Sequence, residues 1–160
     1  MARTLVGLIA DTHGLLRPEA VAALEGAAHI VHAGDIGSRT GEPRYVLDAL
    51  ARIAPLTVVR GNNDRAGWAS SIPQTADIEF EAVRIHVLHI LDELAIDPVA
   101  AGVNVVVSGH SHKPHVETRG GVLFVNPGSA GPRRFKLPVS VARLWVEDGR
   151  ADIELVTLLQ

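Results

Sequence analysis

The chain has 160 residues, a formal charge of -3, no cysteine, 47% hydrophobic and only 4% aromatic residues. That composition excludes disulfide staples and thiolate metal ligands, argues against a nucleic-acid partner gripped through its backbone, and calls for a core of Val, Leu, Ile and Ala. A chain this long buries roughly 68–70% of the surface its unfolded form exposes, which suits a single domain over residues 1–160.

In chain order, "TLVGLIADTHG" is an apolar run ending at Asp11 and His13, "HIVHAGDIG" a second ending at Asp35, and "PLTVVRGNND" a third ending at Asn62 to Asp64. Helical periodicity lies between them, at Pro18 to Leu24, with proline suited to the first turn, and at Arg44 to Ile53. Near-continuous apolar strands alternating with helices predict parallel strands buried on both faces. Next, "ADIEFEAVRIHVLHI" alternates with period two about Ala82, which predicts a hairpin from Asp77 to Ile90. A helix is expected from Asp92 to Ala101. Strands follow at Val105 to Val107, Val122 to Val125, Val139 to Val146 and Ala151 to Thr157, the last two joined by a turn at Glu147-Asp148-Gly149-Arg150. The expected fold class is α/β: two mixed sheets packed as a sandwich, with helices on the outer faces, in four layers. The run Leu5 to Ala10 is too short for a signal-peptide core, and no apolar stretch nears the roughly 20 residues of a membrane span. A soluble cytoplasmic protein with no membrane partner is expected. A homo-oligomer is left open, because pattern alone does not separate exposed apolar faces from core ones.

Eight histidines are many for this length. Asp11, His13, Asp35, Asn62, His89, His110 and His112 each stand at or just beyond the end of an expected strand. In open α/β sheets, ligand sites form outside the carboxyl ends of strands. Five segments therefore bring seven nitrogen and oxygen donors to one edge. In extended backbone, residues two apart point the same way with Cα atoms roughly 6.6 Å apart, so Asp11 with His13, and His110 with His112, can each converge. Seven donors exceed what one tetrahedral ion needs and suit two cations sharing a carboxylate, held about 3.5–4 Å apart in two-metal hydrolytic sites. The donor types favour Mn2+, Ni2+, Co2+, Fe2+ or Zn2+ over Ca2+.

Taken in order, D-x-H (Asp11, His13), G-D (Gly34, Asp35), G-N-x-D (Gly61, Asn62, Asp64), a strand-end histidine (His89) and G-H-x-H (Gly109, His110, His112) resemble the pattern of the calcineurin-like metallophosphoesterases. "NPGS" at Asn126 to Ser129, with "GPRRF" close behind, is similar to their small YfcE-type phosphodiesterase branch. The resemblance runs from Leu5 to Phe135. It implies a metallophosphoesterase-like fold, two divalent ions with Mn2+ foremost, and hydrolysis of a small-molecule phosphodiester by in-line attack of a metal-bridging hydroxide. It implies Asp11, His13 and His112 on the first metal, Asn62, His89 and His110 on the second, and Asp35 bridging, with Asp35, Asn62 and His110 as catalytic residues. Two departures stand out. Asn63 occupies the position where many relatives carry histidine, so the general-acid help worth about 10²–10⁴-fold is missing. Ile90 follows His89 where glycine is common.

Simpler readings apply elsewhere. Asp11, Asp35 and Asp64 can cap the segments that follow them, and Asp64 is expected to orient its loop rather than bind metal. His29, His32, His86 and His115 are not expected to be ligands: His32 is read as a hydrogen-bonded core residue, His86 faces away from His89 by parity, and His115 is placed at the entrance. Arg17, Arg133 and Arg134 are read as solvated charge, and Gly128 with Ser129 as a tight turn beside the site. The rival reading is a non-catalytic protein-binding scaffold on the same fold, as in the retromer subunit. A nuclease ranks lowest, since no basic channel is visible.

Overall fold

The computed structural model of the protein describes residues 3–37, 43–65 and 67–159. Its elements are β1 (Thr4–Ile9), α1 (Pro18–Leu24), β2 (His29–His32), α2 (Pro43–Ala51), β3 (Leu56–Val58), β4 (Thr75–Phe80), β5 (Val83–Leu88), β6 (Val105–Val107), β7 (His115–Arg119), β8 (Val122–Asn126), β9 (Val139–Glu147) and β10 (Arg150–Leu159). They form two five-stranded mixed sheets, ordered β10-β9-β1-β2-β3 and β4-β5-β6-β8-β7. In each sheet the three parallel strands (β1, β2, β3; β5, β6, β8) lie together; antiparallel pairing adds β9 and β10 on one side of the first set, leaving β3 at the edge, and β4 and β7 on the two sides of the second.

Strand periodicity divides the apolar residues between two faces. From β1, Val6 and Leu8 enter the core between the sheets, while Leu5 and Ile9 face outward beneath the helices. This is why its run reads as continuous. Val105 and Val107 likewise join the central core, and Val106 points to the opposite side. α1 and α2 cover the outer face of the first sheet through Leu24, Val46 and Leu50. The outer face of the second is covered differently. In place of the expected helix from Asp92 to Ala101 there is a 3₁₀ turn, Leu91–Glu93, followed by hydrogen-bonded turns up to Val103. Pro98 disfavours helical backbone at Asp97, and the Asp97 carboxylate accepts from the amides of Val99 and Ala100. Leu91, Leu94 and Ile96 still cap the apolar patch made by Leu88, Val106 and Phe124.

β7 was not expected. Its residues are mostly exposed, so no hydrophobic alternation marks it. The signal that could have found it is Gly120-Gly121, both with positive φ, a two-residue hairpin turn leading into β8.

Candidate metal centre

The carboxyl ends of the parallel strands of both sheets meet at one edge. Asp11 follows β1, Asp35 follows β2, Asn62 follows β3, His89 follows β5, and His110 with His112 follow β6. The expected convergence through extended backbone is not how the pairs meet. Asp11, His13, Asp35, His110 and His112 all have left-handed φ, from 47° to 72°. Among the described residues nine non-glycine positions have positive φ, and these five donors are the majority. The left-handed turns that follow β1, β2 and β6 fold these donors inward. Such backbone costs of order 1–3 kcal/mol per residue and collects at functional sites.

Asp11 Oδ1 is the focus. It lies 3.5 Å from His112 Nε2, 3.8 Å from His89 Nε2 and 3.9 Å from His13 Nε2. It is buried and has no hydrogen-bond partner among the described residues, a cost of about 1–3 kcal/mol unless something else satisfies it. His13 Nε2 and His112 Nε2 face one another at 3.3 Å. Donors that share an ion at about 2.0–2.2 Å sit about 3–3.5 Å apart, so the arrangement fits a cation. Asp11, His13 and His112 form one such group, and Asp11, Asp35 and His89 a second. Asp35 Oδ2 reaches both, at 3.7 Å from His13 Nε2 and 3.3 Å from His89 Nε2. Asn62 Oδ1 lies 2.9 Å from His89 Nε2 and 3.1 Å from His110 Nδ1. All seven expected donors are thus in one cluster.

Protonation follows from packing. Burial pushes the Asp11 carboxyl up to about 7, against the pull of the nearby His89. Burial, with the Arg134 charge, pushes His112 down to about 4, and burial lowers His13. Asp35 goes the other way: burial opposes its ionisation, but hydrogen bonds from His89 and Asn63 hold it well below the usual carboxylate range. Burial also works against charge on His89, yet Asp35 and Asp11 outweigh it and raise its pKa. His89 Nδ1 lies 2.7 Å from the Ala33 carbonyl, which turns Nε2 toward Asn62 Oδ1 at 2.9 Å and Asp35 Oδ2 at 3.3 Å.

A layer of polar residues holds these groups. Asp64 is buried and accepts from the amides of Asp35, Ile36 and Gly61 at 2.8–3.0 Å, locking the loop after β2 to the loop after β3. Asn63, read from sequence only as a missing acid, donates to Asp35 through both its amide (2.9 Å) and its side chain (3.0 Å). His32 is fully buried. The Gly34 amide donates to its Nδ1, so Nε2 carries the proton and donates to Thr12 Oγ1, which in turn donates a hydrogen bond to the Ile36 carbonyl. Gly34 tolerates no side chain, since a Cβ there would fall 2.7 Å from His89 Nδ1. Arg17 is not simply solvated: Nε and Nη2 both donate to the Gly131 carbonyl. His86 pairs with Asp77 across β4 and β5, away from the site.

"NPGS" does more than turn. Asn126 donates to the Gly109 carbonyl and to Ser111 Oγ, and Ser129 Oγ donates to the Asp11 carbonyl, so the segment ties the His110 loop to the Asp11 loop. Sequence reasoning missed Asn126. Its signal was the same as for Asn62, a polar residue closing an apolar strand.

The profile of the calcineurin-like phosphoesterase superfamily domain matches residues 5–149. A probable metallophosphoesterase of Methanothermobacter thermautotrophicus is 31% identical over 95% of this chain and 91% of its own length. Among solved structures, the phosphoesterase YfcE of E. coli superposes with a TM-score of 0.67 at 23% identity, covering 97% of this chain and 100% of its own. Vps29 of Entamoeba histolytica complexed with Zn2+ superposes at 0.73 and 22% identity, covering 97% of this chain and 99% of its own.

Proposed function

This chain belongs to the calcineurin-like phosphoesterase superfamily, and from that premise we propose that it is a dinuclear metal-dependent phosphodiesterase acting on a small-molecule substrate. The observation that carries the reading is the buried Asp11 Oδ1, ringed by three imidazole nitrogens and lacking a hydrogen-bond donor among the described residues. Asp11, His13 and His112 would hold one ion, Asn62, His89 and His110 the other, and Asp35 would face both, with Mn2+ the first metal to try. When bound, two divalent cations polarise a phosphoryl group and acidify water.

The chain's own residues do the positioning. Asp64 and Asn63 fix Asp35, and the Ala33 carbonyl fixes the ring of His89 so that Nε2 points to the centre. The Asn62 carbonyl oxygen faces the two histidines, leaving its amide nitrogen as a donor for a phosphate oxygen. Asn63 has no proton to give a leaving alkoxide, so esters of acidic alcohols are the preferred substrates. The test is hydrolysis of bis-p-nitrophenyl phosphate with added Mn2+, abolished by a chelator and restored by the metal. Absence of turnover with Mn2+, Co2+, Ni2+, Fe2+ and Zn2+ alike, despite bound ions, would sink the reading. That outcome would favour a second one, a non-catalytic protein-binding scaffold, which rests on the likeness to Vps29.

A further inference from the structure

Beyond β8 the chain passes Gly131 and then leaves the body of the molecule. Gly131 has no room for a side chain against the Thr12 carbonyl, and the Arg17 guanidinium holds its own carbonyl, so this point is fixed to the turn that carries Asp11 and His13. Residues 132–136 (Pro-Arg-Arg-Phe-Lys) are all exposed. The Leu137 amide donates to the Arg134 carbonyl at 3.0 Å, which closes a tight turn, and Phe135 within it has φ 52°. A bulky side chain rarely takes left-handed backbone, and Phe is among the residues most often buried. Phe135 takes that backbone and is 94% exposed, so folding gives no reason for it. The same holds for its neighbours. Among the described residues Arg133, Arg134 and Lys136 form no ion pair, unlike Arg84, Arg119 and Arg143. From Thr118 to Val146 the charged residues are all cations: Arg119, Arg133, Arg134, Lys136 and Arg143. The Arg134 charge bears on Asp11, His13 and His112, which agrees with the anchoring of the turn beside that half of the centre.

An anion held over the centre therefore meets Arg134, and a group attached to that anion meets the Phe135 ring. Asn63 adds an independent constraint. With no acid at that position the leaving alcohol must be acidic in its own right, and phenols are acidic alcohols with a flat apolar face. An aromatic ring stacks on such a face, and a guanidinium fork matches two phosphate oxygens.

We propose that this turn grips the substrate and selects aryl phosphodiesters: the Arg134 guanidinium binds non-bridging oxygens of the phosphate, and the Phe135 ring stacks on the aryl ester group. The inference rests on the phosphodiesterase reading. Its test uses two anions that cannot be hydrolysed, phenylphosphonate and methylphosphonate, titrated by calorimetry into Mn2+-treated wild-type protein, Phe135→Ala, Phe135→Tyr and Arg134→Ala. Both positions are exposed, so circular dichroism should be unchanged. Phenylphosphonate should bind the wild-type chain about 10-fold more tightly than methylphosphonate. Phe135→Ala should remove that advantage and leave methylphosphonate affinity alone, whereas Phe135→Tyr should keep it. Arg134→Ala should weaken both anions by about 10-fold or more without changing their ratio. Equal or absent wild-type binding of the two anions, a phenyl preference that survives in Phe135→Ala, or wild-type affinities in Arg134→Ala overturns the proposal. Turnover of bis-p-nitrophenyl phosphate by the wild-type protein reports separately on the underlying activity. Turnover with a failed phosphonate test removes the grip alone, and a passed test without turnover supports the grip while counting against hydrolysis.

Discussion

The two halves of the donor cluster differ in how far their side chains satisfy one another. Around Asn62, His89 and His110 the groups pair with one another: His89 bridges Asn62 and the Ala33 carbonyl and lies against Asp35. Around Asp11, His13 and His112 the pairing is incomplete: burial raises the Asp11 carboxyl and lowers both imidazoles, and Asp11 Oδ1 and His112 Nδ1 have no hydrogen-bond partner among the described residues. A site that holds itself together gains less from an ion than one that does not. The Asp11 half should therefore bind the first cation tightly and the Asn62 half the second more weakly.

The strongest way to break this picture is at the carboxylate both halves face. Asp35→Asn, and equally His112→Ala, is expected to lower kcat on bis-p-nitrophenyl phosphate by about 10³-fold or more, beyond the 10–100-fold typical of outer positioning residues, with circular dichroism unchanged. Full activity in Asp35→Asn would remove it from the centre. Next, Mn2+ titration by calorimetry should resolve two events. Asp11→Asn should weaken both by about 100-fold, because Asp11 Oδ1 faces His89 of the second site as well as His13 and His112 of the first, whereas Asn62→Ala should remove the weaker event alone. Equal loss of both events in Asn62→Ala would refute the asymmetry.

Stability of the metal-free protein sharpens the same contrast. The Asp11 carboxyl ionises from about pH 4 upward when unfolded and only near 7 when folded. Between those values the folded state holds more protons, so stability falls as pH rises through the window. Asp11→Asn should then raise the metal-free stability at pH 8 by about 2 kcal/mol, roughly half of what the full shift would give, since water entering the pocket relieves part of the burial. Urea unfolding at pH 5 and pH 8 measures it, and a variant less stable than wild type at pH 8 would contradict the protonated-carboxyl account. The smallest effect is expected at Asn63. Asn63→Ala keeps the backbone hydrogen bond to Asp35 and loses the side-chain one, so kcat should drop by about 10-fold. A drop as large as that of Asp35→Asn would mean that Asn63 contacts substrate.

Much of this was legible in the residues. β1, β2 and β3 announced themselves as apolar runs, and each ended at its donor. The seven donors were visible because five separate strand ends each carry one or two of them. Segments without a hydrophobic pattern were the opaque ones. β7 is a mostly exposed edge strand held by backbone hydrogen bonds to β8, and the stretch after Leu91 covers its sheet with turns because Asp97 and Pro98 outcompete helical periodicity.

By itself, the order of residues determined which side chains stand at the strand ends, since strand parity and strand ends are local properties. Only the tertiary structure decided how they meet. Left-handed turns, rather than extended pleats, aim the donors, and Asp64, Asn63, Asn126 and His32 fasten loops from distant parts of the chain. The charge on each donor was also decided there, because it depends on burial and on neighbours up to about a hundred positions away, which no local pattern encodes.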